Sequence, residues 1–303
     1  FATVTTIVLQ EMSARLGLVS GAGLSQAIRQ SIHLPVIRHV TFALIFTGTS
    51  IIIFSMALVK TGDKNFEYEE IRSGREKIAI VELDFTIIDS APIVRQFKKY
   101  REDKSIKAIV LHVNSPGGGV AASQEMYEEV KKTRDSGKPV IVSFGSIAAS
   151  GGYYVACGGN VIVSNPGSLT GSIGVIISIA NFKELADKIG IKDVTYKSGD
   201  LKDSGNPLRE VNEKDREYFQ EIVDDSYEQF LDVVSKERKI DKEELRSIAS
   251  GRVYTGRQAK DLRLVDSIGT YEDAIRIAGE IAKIEGEPAI VKEKRRMNIF
   301  DYV

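Results

Sequence analysis

The chain has 303 residues, 43% of them hydrophobic and 27% charged, ordinary globular proportions with room for one sizeable domain or two modest ones. A formal net charge of −1 supplies no field that would gather nucleic acid or an acidic partner, so no nucleic-acid binding is expected and any recognition must come from local sites. The single cysteine, Cys157, excludes an intramolecular disulfide, and its apolar neighbours Val155 and Ala156 point to a small buried residue over a reactive thiol.

In chain order, residues 1–38 read as an apolar helix followed by a Gly-rich loop. The chain opens on Phe1, so its true start is expected upstream. This segment resembles part of a membrane helix and loop of Nramp-type metal transporters. The Asp-Pro-Gly-Asn helix of that family is missing, so no transport residue carries over, and a fused fragment and a functional N-terminal domain both fit. Val40 to Val59 is then a run of twenty residues without a charge, bounded by Arg38 and His39 before it and Lys60 after it. That is about the length needed to cross ~30 Å of hydrocarbon. A transmembrane anchor over 39–60 is expected, with a buried core helix as the alternative, since five Thr and Ser residues dilute the run. Arg15, Arg29 and Arg38 precede it, which by the positive-inside tendency leaves everything after Lys60 on the extracytoplasmic side.

Residues 61–76 are polar and aperiodic and read as a linker. From Lys77 the pattern changes. Short β-branched runs at KIAIVEL, IKAIVLHV, PVIVSF, NVIVSN and VTYK alternate with helix-like APIVRQFKKY, AASQEMYEEVKKTRD and FKELADKIG. This predicts an α/β domain over 77–290 with repeated β-α units and a largely parallel sheet, its continuous apolar strands covered on both faces. A long helix is predicted over about 211–238, with Tyr218, Phe219, Ile222, Val223, Tyr227, Phe230, Leu231 and Val234 as its packing stripe. Residues 291–303 read as a basic, solvated tail.

Two glycine-rich segments follow strands. Asn114-Ser115-Pro116-Gly117-Gly118-Gly119 can turn with N–H groups converging on one spot, which suits an oxyanion. A phosphate loop is disfavoured, because no Gly-Lys-Ser/Thr pair follows and no G-x-G-x-x-G fingerprint is present. In Ser146-Ile147-Ala148-Ala149-Ser150-Gly151-Gly152-Tyr153-Tyr154, small residues flank Ser150 where a strand passes into a helix. A helix N-cap is the ordinary role for such a serine, and a nucleophile the sharper one. The G-x-S-x-G elbow of α/β-hydrolases is broken by Ala148, which disfavours that class. A nucleophilic serine needs a base. His33 and His39 precede the apolar run, His112 lies within a strand where packing is its expected role, and no histidine follows Ser150. That leaves a lysine, which can accept a proton only when its ammonium is deprotonated near neutral pH. From the residues alone, Lys197 and Lys202 are nearly equal candidates.

The motifs SPGGG, SxAASGGYY, SLTGSIGV, YKSGxxKD and SGRVYTGRQA stand in the order and spacing of SppA-type signal peptide peptidases, a resemblance that runs from about Lys77 to Ala282. It implies the fold of the ClpP/crotonase superfamily and a Ser-Lys serine peptidase, hydrolysing cleaved signal peptides and other membrane-associated peptides without metal or cofactor. By the resemblance, Ser150 is the nucleophile and the second lysine of YKSGxxKD, Lys202, is the general base. The oxyanion hole would be Gly117 or Gly118 with Gly151. Ser172 is a candidate to orient the lysine, with Thr170 or a purely structural turn as alternatives. The resemblance further implies partners: the lipid bilayer of the cell membrane, and a homo-oligomeric ring of about eight in which serine and lysine of one site come from different chains. A crotonase-like acyl-transfer enzyme and a catalytically silent membrane scaffold are the rival functions; neither Gly segment contains the carboxylate that the former would need.

Overall fold

The computed structural model describes residues 68–74 and 76–293. The Nramp-like segment, the apolar run at 40–59 and the residues beyond Glu293 lie outside the described residues. No described helix is long and apolar enough to cross a membrane.

The elements in chain order are β1 (Tyr68–Arg72), β2 (Lys77–Leu83), α1 (Ala91–Glu102), β3 (Ile106–Ser115), α2 (Val120–Asp135), β4 (Val140–Ala149), α3 (Gly151–Ala156), β5 (Val161–Ser164) and β6 (Leu169–Gly171). They continue with α4 (Lys183–Lys188), a 3-10 turn (Asp200–Asp203), α5 (Glu213–Arg238), α6 (Lys242–Ile248), β7 (Val253–Thr255), α7 (Gly256–Asp261), β8 (Ser267–Ile268), α8 (Tyr271–Ile281) and β9 (Ala289–Glu293). One sheet joins the strands in the order β1-β9-β2-β3-β4-β5-β8, with β6 attached to β4 and β7 to β6. Its centre is parallel, as the β-α alternation predicts; only the β1–β9 and β6–β7 pairs are antiparallel.

Both faces of the central strands are covered. Ile78, Ile80, Val110 and Ile141 meet Ala274, Ile275 and Ala278 of α8 on one face. The alternate residues Ala79, Val81, Ile109 and Leu111 are as completely buried, because side chains along a strand alternate between faces and α1, α2 and α3 supply Phe97, Met126 and Tyr153 there. Each such side chain removed from water contributes about 1.5–3 kcal/mol.

Four expectations need correction. VTYK is not a strand: Val194 to Lys197 run without regular structure and are exposed, so their β-branched residues have no sheet to pack on. The linker is partly a strand, because Tyr68–Arg72 forms β1. The first residues assigned to the tail, 291–293, complete β9, the strand on which β1 pairs. The stripe on α5 is only half buried. Phe230, Leu231 and Val234 pack inward, whereas Tyr218 and Ile222 are exposed, since the N-terminal half of the helix extends beyond the sheet.

Candidate active site

Strand β4 changes partner midway, and that change aims its C-terminal end. Ile141 to Phe144 pair with β5, while Ile147 to Ala149 pair with β6. Against β3 the register slips between Val113↔Phe144 and Ser115↔Ala148, so β4 carries extra residues at Gly145 to Ile147. Asn114 holds this bend. Its Oδ1 accepts the N–H of Ser146 at 3.1 Å and of Ile147 at 3.3 Å, and its Nδ2 donates to Asp84 at 2.8 Å. Gly145 fits closely there: a Cβ would stand 3.0 Å from that Oδ1, so Asn114 would have to give way by a few tenths of an ångström.

Ser150 is the single residue between β4 and α3, with φ 52° and ψ −121°. For a side chain with a Cβ, such a conformation costs about 1–3 kcal/mol and persists only where its surroundings impose it. The imposing contacts are the Ser150 N–H to the Gly171 carbonyl at 2.9 Å and the Tyr154 N–H to the Ser150 carbonyl at 2.9 Å. The strand-turn-helix elbow is therefore present without the G-x-S-x-G sequence that usually announces it.

The SPGGG loop lies directly on this turn. A Cβ on Gly117, whose φ is 98°, would stand 2.6 Å from the Gly151 N and 2.9 Å from the Ser150 Cβ. The N–H of Gly117 donates to Ser115 Oγ at 3.2 Å, and that hydroxyl donates to the Phe85 carbonyl at 2.6 Å. Gly119 donates to the Ile87 carbonyl at 2.8 Å. The Gly118 N–H has no such partner among the described residues, and it lies 3.3 Å from where a Cβ on Gly151 would be. At the start of α3 the Gly151 N–H is likewise outside the helical ladder.

Beside Ser150 opens a cavity of about 100 Å³ lined by Val120, Tyr154, Val175, Ile176, Ser226 and Phe230, together with Gly118 and Gly151. Among the described residues its lining holds no carboxylate and no histidine. His112 stands apart from it, edge-on to Tyr271 at 5.0 Å, and burial pushes its pKa down. Cys157 is buried, and burial raises its thiol to about 12, so it is an inert packing residue as its neighbours suggested.

The remaining candidates are divided. Ser172 follows Gly171 and so sits next to the elbow, with φ 49° and its N–H bonded to the Arg252 carbonyl at 2.8 Å. Thr170 is committed elsewhere: its buried hydroxyl donates to the Ala148 carbonyl at 2.7 Å. Lys202 is exposed on the Asp200–Asp203 turn and lines a separate groove of about 770 Å³ with Tyr218, Glu217 and Glu221 of α5. The two concavities share no residue, and no hydrogen bond joins Ser150 to Lys202. Between them runs an arm whose apolar side chains are largely in solvent: Ile176 is 85% exposed, Val194 71% and Tyr196 94%. The sequence motifs contain Asn114, Ser115 and Tyr154, and Phe230 stands in the predicted packing stripe, but they assigned a role in the site only to Ser150 and the glycines. The roles of the other four depend on partners 30 or more positions away.

Comparison with known proteins bears on the family of the chain. The family model of Peptidase family S49 matches residues 132–285, and that of Clp protease matches residues 75–181. The Nramp-like reading of residues 1–38 finds no support in these matches. A protein of Enterococcus faecium named signal peptide peptidase SppA is 44% identical over 180 residues, covering 59% of this chain and 52% of that protein. A protease of Synechocystis is 39% identical over 214 residues, covering 70% of this chain and 77% of its own length. Protease 4 of Haemophilus influenzae is 33% identical over 225 residues, covering 71% of this chain and 36% of that one. The match thus spans about half of the Enterococcus relative.

Proposed function

The chain belongs to peptidase family S49, and from that premise we propose that it is a membrane-anchored serine endopeptidase that degrades cleaved signal peptides and other membrane-associated peptides. The observation that carries this reading is the strained backbone at Ser150 beside the N–H groups of Gly118 and Gly151, which have no partner among the described residues.

In the proposed mechanism Ser150 Oγ attacks the peptide carbonyl while neutral Lys202 takes its proton. The N–H groups of Gly118 and Gly151 bind the oxyanion, and each such donor is worth roughly 2.7–4 kcal/mol. Gly117 drops out of the pair because its N–H is held by Ser115 Oγ. The lysine returns the proton to the leaving amine, and water releases the acyl group from Ser150. The apolar cavity walled by Tyr154 and Phe230 suits the side chain of the residue whose carbonyl is attacked, and an apolar residue there matches hydrophobic signal-peptide substrates. The absence of a carboxylate in that lining speaks against acyl-transfer chemistry of the crotonase type.

Lys202 serves a neighbouring copy in this reading. Serine and lysine line different concavities of one chain, and the apolar arm between them is too extensive an exposed surface for a lone protomer. A second copy of the chain would cover it and bring its own lysine to Ser150. Head-to-tail repetition of that contact closes a ring, of about eight members by family resemblance. The charge-free run at 40–59 would anchor each chain once in the cell membrane with the peptidase domain outside the cytoplasm.

Labelling with a serine-directed phosphonate, on the oligomeric protein in detergent, tests the assignment. Modification of Ser150 that is lost in Ser150→Ala is the expected result; an unlabelled oligomer would favour a silent scaffold. Mixing Ser150→Ala with Lys202→Ala subunits should restore activity if the site is shared, and should restore none if each site lies within one chain.

A further inference from the structure

The arm around Lys202 buries almost nothing, yet the turn that bears this lysine is tied down on both sides. Asp203 accepts Lys197 Nζ at 2.8 Å and Arg209 Nη2 at 3.1 Å. Arg209 also grips both oxygens of Asp215, from Nη1 to Oδ2 and from Nη2 to Oδ1, the latter at 2.8 Å. Such a forked, charge-assisted pair fixes direction as well as distance. The Asp215 side chain is only 2% exposed and accepts two further bonds, from Ser204 Oγ at 2.7 Å and from the Asn212 N–H at 3.1 Å. The second of these belongs to the capping box that starts α5. The Arg209 guanidinium beside Asp215 holds its carboxyl well below the usual carboxylate range, so the cluster stays ionised at any working pH.

At the other end of the turn, Asp200 pairs with Lys214 of α5 at 2.8 Å. Both acids flanking Lys202 in sequence are thereby occupied by other cations. Among the described residues the Lys202 ammonium makes no hydrogen bond and no ion pair.

We propose that Arg209 is a positioning residue for the base: by bridging Asp203 on the turn to Asp215 on α5, it fixes the direction in which Lys202 leaves its chain. With Lys197 and Lys214 it also occupies the acids that would otherwise capture that lysine. This inference rests on Lys202 acting as the base for Ser150 of a neighbouring copy. Arg209 touches no reacting atom; it acts through Lys202.

The test uses the full chain in detergent with an apolar reporter peptide. In R209M, kcat should fall roughly 10- to 100-fold with KM held within about twofold, since a misplaced catalytic group costs rate more than binding. R209K should recover little, because a point charge cannot hold two carboxylates at once. D203N removes the bridge to the turn but leaves the Arg209–Asp215 pair and the α5 cap, so it keeps the question open to measurement if R209M fails to assemble; it should lose kcat in the same way. Subunit mixing separates positioning from general damage. R209M subunits should regain activity with S150A subunits, which bring an intact lysine turn, and stay inactive with K202A subunits. Parental kcat in both R209M and D203N, or recovery of R209M by K202A in place of S150A, would overturn the proposal. If S150A and K202A themselves fail to complement, the shared site is what falls, and the kcat values of R209M and D203N then decide the clamp alone.

Discussion

The N–H of Ser150 donates to the carbonyl of Gly171 at 2.9 Å, so the residue after Gly171, Ser172, is carried to the edge of the elbow. Of the three hydroxyls in the SLTGSIGV motif, Ser168 is spent on the Gly145 carbonyl and Thr170 on the Ala148 carbonyl, which leaves Ser172 for an incoming ammonium. Ser172→Ala should therefore lower kcat roughly tenfold, the worth of one charge-assisted hydrogen bond. Thermal stability should stay near the parent's. A kcat unchanged by this substitution would return Ser172 to a turn residue.

Ser150→Ala and Lys202→Ala should each reduce turnover of an apolar peptide to background, because nucleophile and base act as one unit. Lys197→Ala should keep most of its activity. Arg209 still holds Asp203 in that variant, and the Lys197–Asp203 pair is partly exposed, a setting in which an ion pair contributes only about 0–1 kcal/mol. Retention of more than a few per cent of activity in Ser150→Ala would end the assignment of the nucleophile.

Activity should decline toward acid pH, since an ammonium cannot accept the serine proton. Among the described residues no histidine is placed to produce that limb: His112 packs on Tyr271, away from the Ser150 cavity. A kcat/KM that is flat from about pH 6 to 9 would argue against a lysine base.

The wall formed by Tyr154 and Phe230, with ring centroids 5.0 Å apart, sets the depth of the cavity. Phe230→Leu should deepen it and raise the preference for a larger apolar residue over alanine. A methylene is worth roughly 10- to 200-fold in such pockets, so a change of several-fold in the ratio of kcat/KM values is expected. Competing peptides that differ only at the residue before the cleaved bond would measure it. An unaltered ratio would remove Phe230 from the specificity wall.

Glu237 ties the end of α5 to α2, accepting Tyr127 Oη at 2.8 Å and Arg134 Nη1 at 2.7 Å. Burial works to raise its pKa, but the hydrogen bonds from Arg134 and Tyr127 prevail and leave it below the ordinary value. A carboxyl lowered in the folded state stabilises fully above its unfolded pKa of about 4.3, and that contribution disappears as pH falls through the folded value. Glu237→Gln should thus cost roughly 1–3 kcal/mol at neutral pH and less toward about pH 3. Urea unfolding at both pH values gives the comparison; an equal loss at the two would assign the effect to packing.

The sequence by itself determined the parallel core and marked the segment around Ser150 as the candidate site. Runs such as KIAIVEL and IKAIVLHV carry their periodicity locally, and the small residues around Ser150 are contiguous in the chain. It could not reveal β1 and β9, whose pairing joins residues more than 200 positions apart. It overrated VTYK, because β-branched residues favour a strand only where a sheet edge is available to receive them. Nor could spacing rules choose among the glycines. Which N–H of Gly117 and Gly118 is left over depends on where Ser115 Oγ points, a matter of tertiary packing. The same holds for the lysines: Lys197 and Lys202 look alike in YKSGDLKD, and only the fold, by bringing Asp203 and Arg209 onto α5, pairs one of them and leaves the other without a partner among the described residues.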